Sequence, residues 1–255
     1  MFIRPMGFFT PRETGNSYDP DAEAFISVVD DAAIGGGENP LTTTEKNAVN
    51  TLVVDLKDNS LWTKFKVIYP IVGDNATTQK FNLVDPQDTD GAFRLNFVGG
   101  ITHTSTGALP NPADSHGETF FNPSIELDDN SQLFSIYMRT DTALNGIDLG
   151  AWSTPNYVRI FPKSATYTFM IGTDTVGSVD GAIANTQGLI TLSRESSTLF
   201  KAYQNTTLLG TQTALQPTSA VNRELFLFAA NQGSPVVRSN REQSFVGFGS
   251  SMTEA

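Results

Sequence analysis

The feature that most constrains the fold of this chain is a change of hydrophobic period after residue 61. Before that point, four apolar residues recur at i, i+3, i+4 and i+7, as on one face of an α-helix: Val49, Leu52, Val53 and Leu56. Beyond it, short apolar runs alternate with segments rich in Gly, Pro, Asn and Asp, which is typical of strands joined by turns. This order predicts helices first and an antiparallel sheet structure from about Lys64 onward.

Two helices are predicted before this change. The first begins with Asp19 as its N-cap and Pro20 at its first helical position, and its apolar stripe ends near Asp31. The second begins after Thr42, which lies three residues before Glu45 in the spacing of a capping box. Side chains at such positions pair with backbone groups that the first turn of a helix leaves without partners.

A glycine-rich link between the two helices predicts a division of the chain. Residues 35–40 are GGGENP, a composition typical of a flexible connection. We therefore predict that residues 1–41 form an N-terminal arm and helix for attachment or oligomerisation, and that residues 42–255 form a helix plus a sandwich domain. Near the end, Ser251 and Glu254 again have capping-box spacing, which fits either a further helix or a polar tail.

The sheet region contains β-forming runs at a spacing of roughly 8–12 residues, which favours a sandwich over βαβ units. The clearest predicted strands are residues 133–138, 157–161, 166–171, 189–192, 199–203, 224–229 and 243–248, with shorter ones at 81–84 and 93–98. A hairpin is predicted around Asn205, with this residue at positive φ. The predicted fold is mainly β: a two-sheet antiparallel jelly-roll sandwich preceded by short N-terminal helices.

Charge and cysteine content exclude several classes of partner and site. The chain has 16 basic and 27 acidic residues, so its net charge is 16 − 27 = −11, which argues against a nucleic-acid partner. It contains no cysteine, which excludes disulfides and thiolate metal ligands. No apolar run reaches the ~18 residues of a membrane-spanning helix, and the first residues lack the continuous apolar region of a signal peptide. We therefore predict no membrane insertion and no export signal.

Two groups of polar residues are candidate metal sites. Asp85, Asp88 and Asp90 resemble part of a loop for a hard cation, but no bidentate Glu follows at EF-hand distance. Turn formation accounts for three aspartates equally well, so calcium binding at this loop is left open. His103 and His116 lie in predicted loops, and neither has a second histidine at metal-ligand spacing. We predict no resident metal and no cofactor.

An aromatic pair near a turn is the candidate ligand-binding site. Trp152 and Tyr157 flank the turn segment that contains Asn156, so that two flat rings and an amide are predicted to meet one ligand. Sugars stack on flat rings in otherwise polar grooves, which makes this segment a candidate carbohydrate platform. Core packing of Trp152 is the alternative interpretation.

Several segments together resemble a known group of proteins. They are LVVDLK at 52–57, LWTKFK at 61–66, IYPIVG at 68–73, FNL at 81–83 and THTSTGALPN at 102–111, followed by a looser match in the last third of the chain. As a series they resemble virion proteins of tailed bacteriophages that carry a jelly-roll domain of the laminin-G and concanavalin A type. The resemblance covers roughly the last four fifths of the chain. It implies synthesis in the host cytoplasm, a location in the virion and other virion proteins as partners, and it brings no catalytic motif.

Glycoside hydrolysis is the strongest enzymatic alternative, because laminarinase-like sandwiches carry their catalytic carboxylates on one face of a strand. Glu126 and Asp128 match the first half of that pattern, but Asn130 or Ser131 stands where the second acid is needed. We therefore predict that the protein is not an enzyme, that it has no catalytic residue, and that Glu126 and Asp128 belong to an acidic cluster between a strand and a turn.

The predicted function is that of a non-enzymatic phage structural protein, a fibre, tail or head-decoration component. Binding of a host-surface glycan at Trp152, Asn156 and Tyr157 and assembly into a homo-oligomer are part of this hypothesis. One alternative is a virion adaptor or capsid-stabilising protein without a ligand. The second alternative is a glycan depolymerase.

Overall fold

The computed structural model describes residues 18–142, 144–163, 166–173, 178–214 and 219–252. The first 17 residues of the predicted arm lie outside the described residues, as does Glu254 of the C-terminal capping-box signal. None of the described helices is both long enough and apolar enough to cross a lipid bilayer.

Helix α1 spans Pro20–Gly35 and helix α2 spans Thr43–Asp58, and both predicted N-termini are confirmed. The side chain of Asp19 accepts a hydrogen bond from the backbone N–H of Asp21 at 3.0 Å. At the second helix the complete capping box is formed by Thr42 and the glutamate three residues later.

Helix α1 is longer than predicted, because it ends at Gly35 and not near Asp31. Ala33 is fully buried and therefore extends the apolar stripe of the helix by another turn. The backbone N–H of Gly36 donates to carbonyls of the last turn, and Gly37 has a φ of 76°. The glycine-rich segment thus terminates the helix through a left-handed residue that glycine adopts without strain.

The described residues form seventeen strands, and two further short α-helices lie at turns of the sheet region, α3 at Ala76–Gln79 and α4 at Pro123–Glu126. The strands are β1 Phe65–Tyr69, β2 Asn96–Val98, β3 Thr102–Thr104, β4 Gly107–Leu109, β5 His116–Glu118, β6 Gln132–Met138, β7 Leu149–Ser153, β8 Asn156–Lys163, β9 Thr166–Thr173, β10 Ser178–Ala182, β11 Gly188–Ser196, β12 Leu199–Gln204, β13 Thr207–Gln212, β14 Phe226–Leu227, β15 Ala230–Asn231, β16 Pro235–Val236 and β17 Gln243–Gly249.

These strands form two sheets, which we call sheet I and sheet II. Sheet I has the order β13-β12-β11-β6-β17-β4-β3, with β1 also paired to β17. Sheet II has the order β10-β9-β8-β7-β14-β5-β2, with β15 and β16 attached beside β7. Neighbouring strands are antiparallel except that β15 runs parallel to β7. The predicted two-sheet antiparallel sandwich with preceding helices is therefore confirmed.

One apolar core fills the space between the two sheets. Strand β1 shows how alternation builds it: Val67 and Tyr69 face this core, whereas Ile68 faces the helices. Tyr69 is fully buried, and its hydroxyl donates a hydrogen bond to the backbone carbonyl of Phe93. This bond satisfies the one polar atom that the tyrosine carries into the core.

The two N-terminal helices cover the outer face of sheet I and form a second apolar core with it. Its main contributors are Phe25 and Val29 from α1, Val49 and Val53 from α2, and Ile68 and Leu133 from the sheet. Lys57 of α2 also pairs with Asp19 at the start of α1, with 2.6 Å between Nζ and Oδ1. Helix α1 therefore belongs to a packed helical layer. The attachment or oligomerisation role of residues 1–41 stays a prediction.

The predicted strand at residues 81–84 is not formed. The side chain of Asn82 makes hydrogen bonds where backbone pairing between strands was expected. Its Oδ1 accepts from the backbone N–H of Ile68 at 3.0 Å, and its Nδ2 donates to the backbone carbonyl of Ala92 at 3.1 Å. A single buried amide thus bonds this segment to its neighbours without extended pairing.

Two other predicted strands are shorter than expected. The runs at 93–98 and 224–229 contain only the three residues of β2 and the two residues of β14. Phe93 has a φ of 59° and Phe228 a φ of 63°, a left-handed backbone that strands do not contain. The remaining predicted strands are confirmed, and Asn205 has the expected positive φ of 54° in the hairpin between β12 and β13.

Candidate functional site

The candidate ligand-binding residues lie on the hairpin of strands β7 and β8. Trp152 of β7 is the cross-strand partner of Tyr157 of β8, next to the turn. The adjacent residues Ala151 and Val158 are buried in the core between the sheets. Because successive side chains of a strand point to opposite faces, Trp152 and Tyr157 lie on the outer face of sheet II.

The two rings form one apolar surface on that face. The ring centroids of Trp152 and Tyr157 are 5.8 Å apart, with an angle of 45° between the ring planes. Both side chains are partly exposed, and the turn residues beside them, Thr154 and Pro155, are exposed. An aromatic pair at this spacing stabilises its own arrangement. The geometry therefore offers two adjacent, mutually tilted ring faces to a ligand with an apolar face, such as the C–H face of a sugar ring.

Asn156 does not join the two rings. It is adjacent to Tyr157 in the strand, and alternation places its side chain on the face of β8 that carries Val158. Its Nδ2 donates to Ser219 Oγ at 2.9 Å. Adjacent residues of a strand face opposite sides of the sheet, so the amide of Asn156 is bonded away from the two rings, and its part in ligand binding stays a prediction.

Asn156 instead lines a narrow polar cleft at this end of the sandwich, together with Gln132, Arg194 and Ser219. Arg194 is fully buried and is the cross-strand partner of Gln132. Burial lowers the pKa of this guanidinium, and the charge of Asp129 opposes that shift. The amide oxygens of Gln132 and Asn156 are buried without a hydrogen-bond partner. The cleft leaves no room for a water molecule, so it is a packing feature and not a binding cavity.

The two acidic residues considered for hydrolysis do not share a strand face. Glu126 ends the short helix α4, and its Oε2 is 3.2 Å from Nζ of Lys66. Asp128 lies beyond the helix and accepts a hydrogen bond from the backbone N–H of Asn130 at 2.8 Å. A short helix thus replaces the strand that the laminarinase-like arrangement needs. The absence of catalytic activity stays a prediction.

The aspartates of the candidate cation loop are directed to basic side chains. Asp88 pairs with Lys80 at 2.7 Å and with Arg94 at 3.0 Å, and Arg94 also pairs with Asp90 at 3.0 Å. Burial raises the pKa of Asp88, but the hydrogen bonds from both basic groups outweigh it and hold the pKa below its ordinary value. Across the part of the chain that the structure describes, no three acidic or histidine side chains are arranged to hold a metal ion.

The two histidines lie on short strands and not in loops as predicted. His103 is on β3, where its Nδ1 is 2.7 Å from Oε1 of Gln79, and burial lowers its pKa. His116 is on β5, where its Nε2 is 3.6 Å from Oε1 of Glu118. Burial lowers the pKa of His116 against the effect of this glutamate. Three-residue strands between turns have the composition of loops, which explains the wrong prediction.

No family model matches this chain, and no curated protein matches it either. Solved structures do match. The botulinum neurotoxin serotype D binding domain is similar over 77% of this chain and 49% of that chain, with a TM-score of 0.50 and 10% identity. A mutant of HCR/D is similar over 77% of this chain and 50% of that chain, with a TM-score of 0.52 and 7% identity.

A mutant of the NanB sialidase from Streptococcus pneumoniae also matches, over 49% of this chain and 23% of that chain, with a TM-score of 0.41 and 13% identity. The chain spans about half the length of the botulinum neurotoxin binding domain and of the HCR/D mutant, and less than a quarter of the sialidase. At these identities the similarity supports the sandwich fold alone.

Proposed function

We propose that this chain is a non-enzymatic virion protein, a fibre, tail or head-decoration component, that binds a host-surface glycan through Trp152 and Tyr157. The observation that carries this proposal is the partly exposed pair of rings on the outer face of sheet II. The series of phage-like segments between residues 52 and 111 supports the location in a virion.

The rigidity of the hairpin supports binding at this surface. Trp152 and Tyr157 are fixed by five cross-strand pairs between β7 and β8, and Ala151 and Val158 anchor the same strands in the core. A ligand therefore meets rings that are already ordered, which reduces the conformational entropy lost on binding. The fold supports the same interpretation by analogy, since it also forms the binding domain of a botulinum neurotoxin.

The charge of the protein defines the class of glycan. A net charge of −11 repels strongly acidic polysaccharides at long range, so the proposed ligand is a neutral sugar. Stacking on apolar rings requires no charge on the ligand.

A glycan array tests the proposal with three proteins. The wild type is expected to bind a neutral host-surface glycan, and the Trp152→Ala/Tyr157→Ala double variant to bind it at least tenfold more weakly, a loss of ~1.4 kcal/mol or more. Tyr137→Ala is the matched control, because Tyr137 is a partly exposed aromatic residue on the outer face of the other sheet. Equal binding by the double variant contradicts the proposed site.

Two further measurements separate the alternative functions. Free protein that binds a glycan on the host surface is expected to block adsorption of the phage. A protein that binds no glycan but remains bound to another virion protein supports the adaptor. Release of reducing ends from host polysaccharide supports the depolymerase, and absence of the chain from purified particles contradicts the virion role.

A further inference from the structure

Strand β8 continues the outer face of sheet II beyond Tyr157. Its residues Val158 and Ile160 belong to the core between the sheets. Because side chains alternate along a strand, Arg159 and Phe161 lie on the same outer face as Tyr157. Both side chains are partly exposed. The outer face of this strand therefore carries an aromatic ring, a guanidinium and a second aromatic ring in succession, which we call the β8 row (Tyr157, Arg159 and Phe161).

The β8 row is longer than a single sugar. Phe161 lies four residues beyond Tyr157, so at a rise of ~3.4 Å per residue their Cα atoms are ~14 Å apart along the strand. This distance exceeds the width of one sugar ring. A monosaccharide that stacks on Trp152 and Tyr157 therefore leaves Phe161 without a contact, whereas a linear chain of sugars that follows β8 contacts both ends of the row.

Arg159 orders the far end of the row. Its guanidinium carbon lies over the ring of Phe161, at 5.8 Å from the ring centroid. A cation–π contact of this kind favours one arrangement of the two side chains, which reduces the conformational entropy that a ligand must remove. The guanidinium carries only hydrogen-bond donors, whereas hydroxyl oxygens accept hydrogen bonds. A sugar chain that crosses Arg159 therefore meets a donor between two apolar ring surfaces.

The neighbouring strand β9 does not cover the row. The cross-strand partners of the three row residues on β9 are Gly172, Met170 and Thr168. Residues directly opposite each other in an antiparallel pair share one face of the sheet. Gly172, the partner of Tyr157, has no side chain, and the other two side chains are buried. The exposed surface of this part of sheet II is therefore supplied by β8.

Polar groups border the row on the next strand, β10. Asp180 is the cross-strand partner of Thr168, which is itself the partner of Phe161, so Asp180 lies about 10 Å from Phe161 across the sheet. Ser178 Oγ donates to Asp180 Oδ2 at 2.7 Å. The carboxylate accepts hydrogen bonds from hydroxyl groups and repels anionic sugars. This border matches a ligand that is neutral and rich in hydroxyl groups.

We propose that the ligand is a linear chain of neutral sugars that lies along β8, with Phe161 as a second ring surface and Arg159 as a hydrogen-bond donor between the two surfaces. This inference rests on the proposed function, because it extends the site formed by Trp152 and Tyr157. It defines the ligand as an oligosaccharide and not as a single terminal sugar.

Oligomers of increasing length, made from the sugar identified on the glycan array, test this inference by calorimetry. The wild type is expected to bind oligomers that reach Phe161 at least tenfold more tightly than the monosaccharide. Phe161→Leu is expected to lose this gain and to bind the monosaccharide as the wild type does, because leucine fills the space but offers no flat ring. Tyr137→Leu is the matched control, since Tyr137 is a partly exposed aromatic residue on the outer face of the other sheet.

A second variant and the remaining outcomes separate this inference from the proposed function. Arg159→Ala is expected to weaken binding of the long oligomers and to leave the monosaccharide unaffected. Equal affinity for all lengths, or a gain that Phe161→Leu retains, overturns the inference. The proposed function stands in both cases, provided that binding is lost in the Trp152→Ala/Tyr157→Ala double variant. Absence of binding at every length contradicts the proposed function and this inference together.

Discussion

Arg241 and Asp148 form an ion pair in which both side chains are fully buried, with 2.9 Å between Arg241 Nη1 and Asp148 Oδ2. The guanidinium also donates to the backbone carbonyls of Gly146 at 3.0 Å and Pro162 at 3.1 Å. Ser239 Oγ donates to the other carboxylate oxygen of Asp148. One pair thus fixes segments before β7, in β8 and before β17, and it connects the two sheets.

Asp148→Ala is expected to lower the free energy of unfolding by about 3–5 kcal/mol, because it leaves the guanidinium of Arg241 buried without its counter-charge. Lys66→Ala is the control, since Lys66 and Glu126 form a partly exposed pair that contributes less than about 1 kcal/mol. Urea denaturation of the three proteins measures both values. Equal losses in the two variants contradict the structural role of the buried pair.

The carboxylate of Asp141 makes stability depend on pH. Hydrogen bonds from the backbone N–H and the hydroxyl of Thr186 hold the pKa of Asp141 below its ordinary value. The folded state then binds this proton less readily than the unfolded state, so the stabilisation is present above the unfolded pKa of about 4 and is lost as pH falls through the folded value.

Asp141→Asn is therefore expected to be less stable than wild type at pH 7, and the difference is expected to shrink as the pH falls below about 4. Thermal unfolding of both proteins from pH 7 to pH 3 measures it. A difference that stays constant over that range shows that the charge of Asp141 does not contribute.

Calcium is expected to leave the melting temperature unchanged, because Asp88 and Asp90 are already paired with Lys80 and Arg94. A ligand that binds only the folded state stabilises it by RT ln(1 + [L]/Kd) and therefore raises the melting temperature as its concentration increases. Melting curves recorded in EDTA and in millimolar calcium compare the melting temperatures without and with the cation. A calcium-dependent rise that disappears in Asp88→Asn contradicts this prediction.

No release of reducing ends from host-envelope polysaccharide is expected from the wild type or from Glu126→Gln. Glu126 ends a short helix and pairs with Lys66, so it has no carboxylate partner across a strand face. Activity that the Glu126→Gln variant loses refutes the non-enzymatic role and the structural role of Glu126 together. Activity that survives the substitution refutes only the non-enzymatic role of the protein, and other carboxylates must then be tested.

The parts of the fold that depend on neighbouring residues could be predicted from the sequence. The capping box at Thr42, the N-cap at Asp19 and the positive φ of Asn205 all follow from side chains within a few residues of each other. The change of period after residue 61 also identified where the sandwich begins.

The errors arose where a single side chain replaced regular pairing or where distant segments meet. Asn82 bonds to backbone groups of two other segments, which no local pattern reveals. Asn156 and Tyr157 are adjacent residues of one strand, so their side chains face opposite sides of the sheet. The turn-like composition of this segment suggested a loop instead, in which both side chains could converge.

The proposed glycan binds on the rings of Trp152 and Tyr157. The chain contains two tryptophans, so Trp62→Phe leaves Trp152 as the only one and makes its fluorescence specific for the proposed site. Titration of this variant with the glycan identified on the array is expected to change the emission of Trp152 saturably, with the same Kd as direct binding. Full binding of the glycan without any change in that emission contradicts the claim.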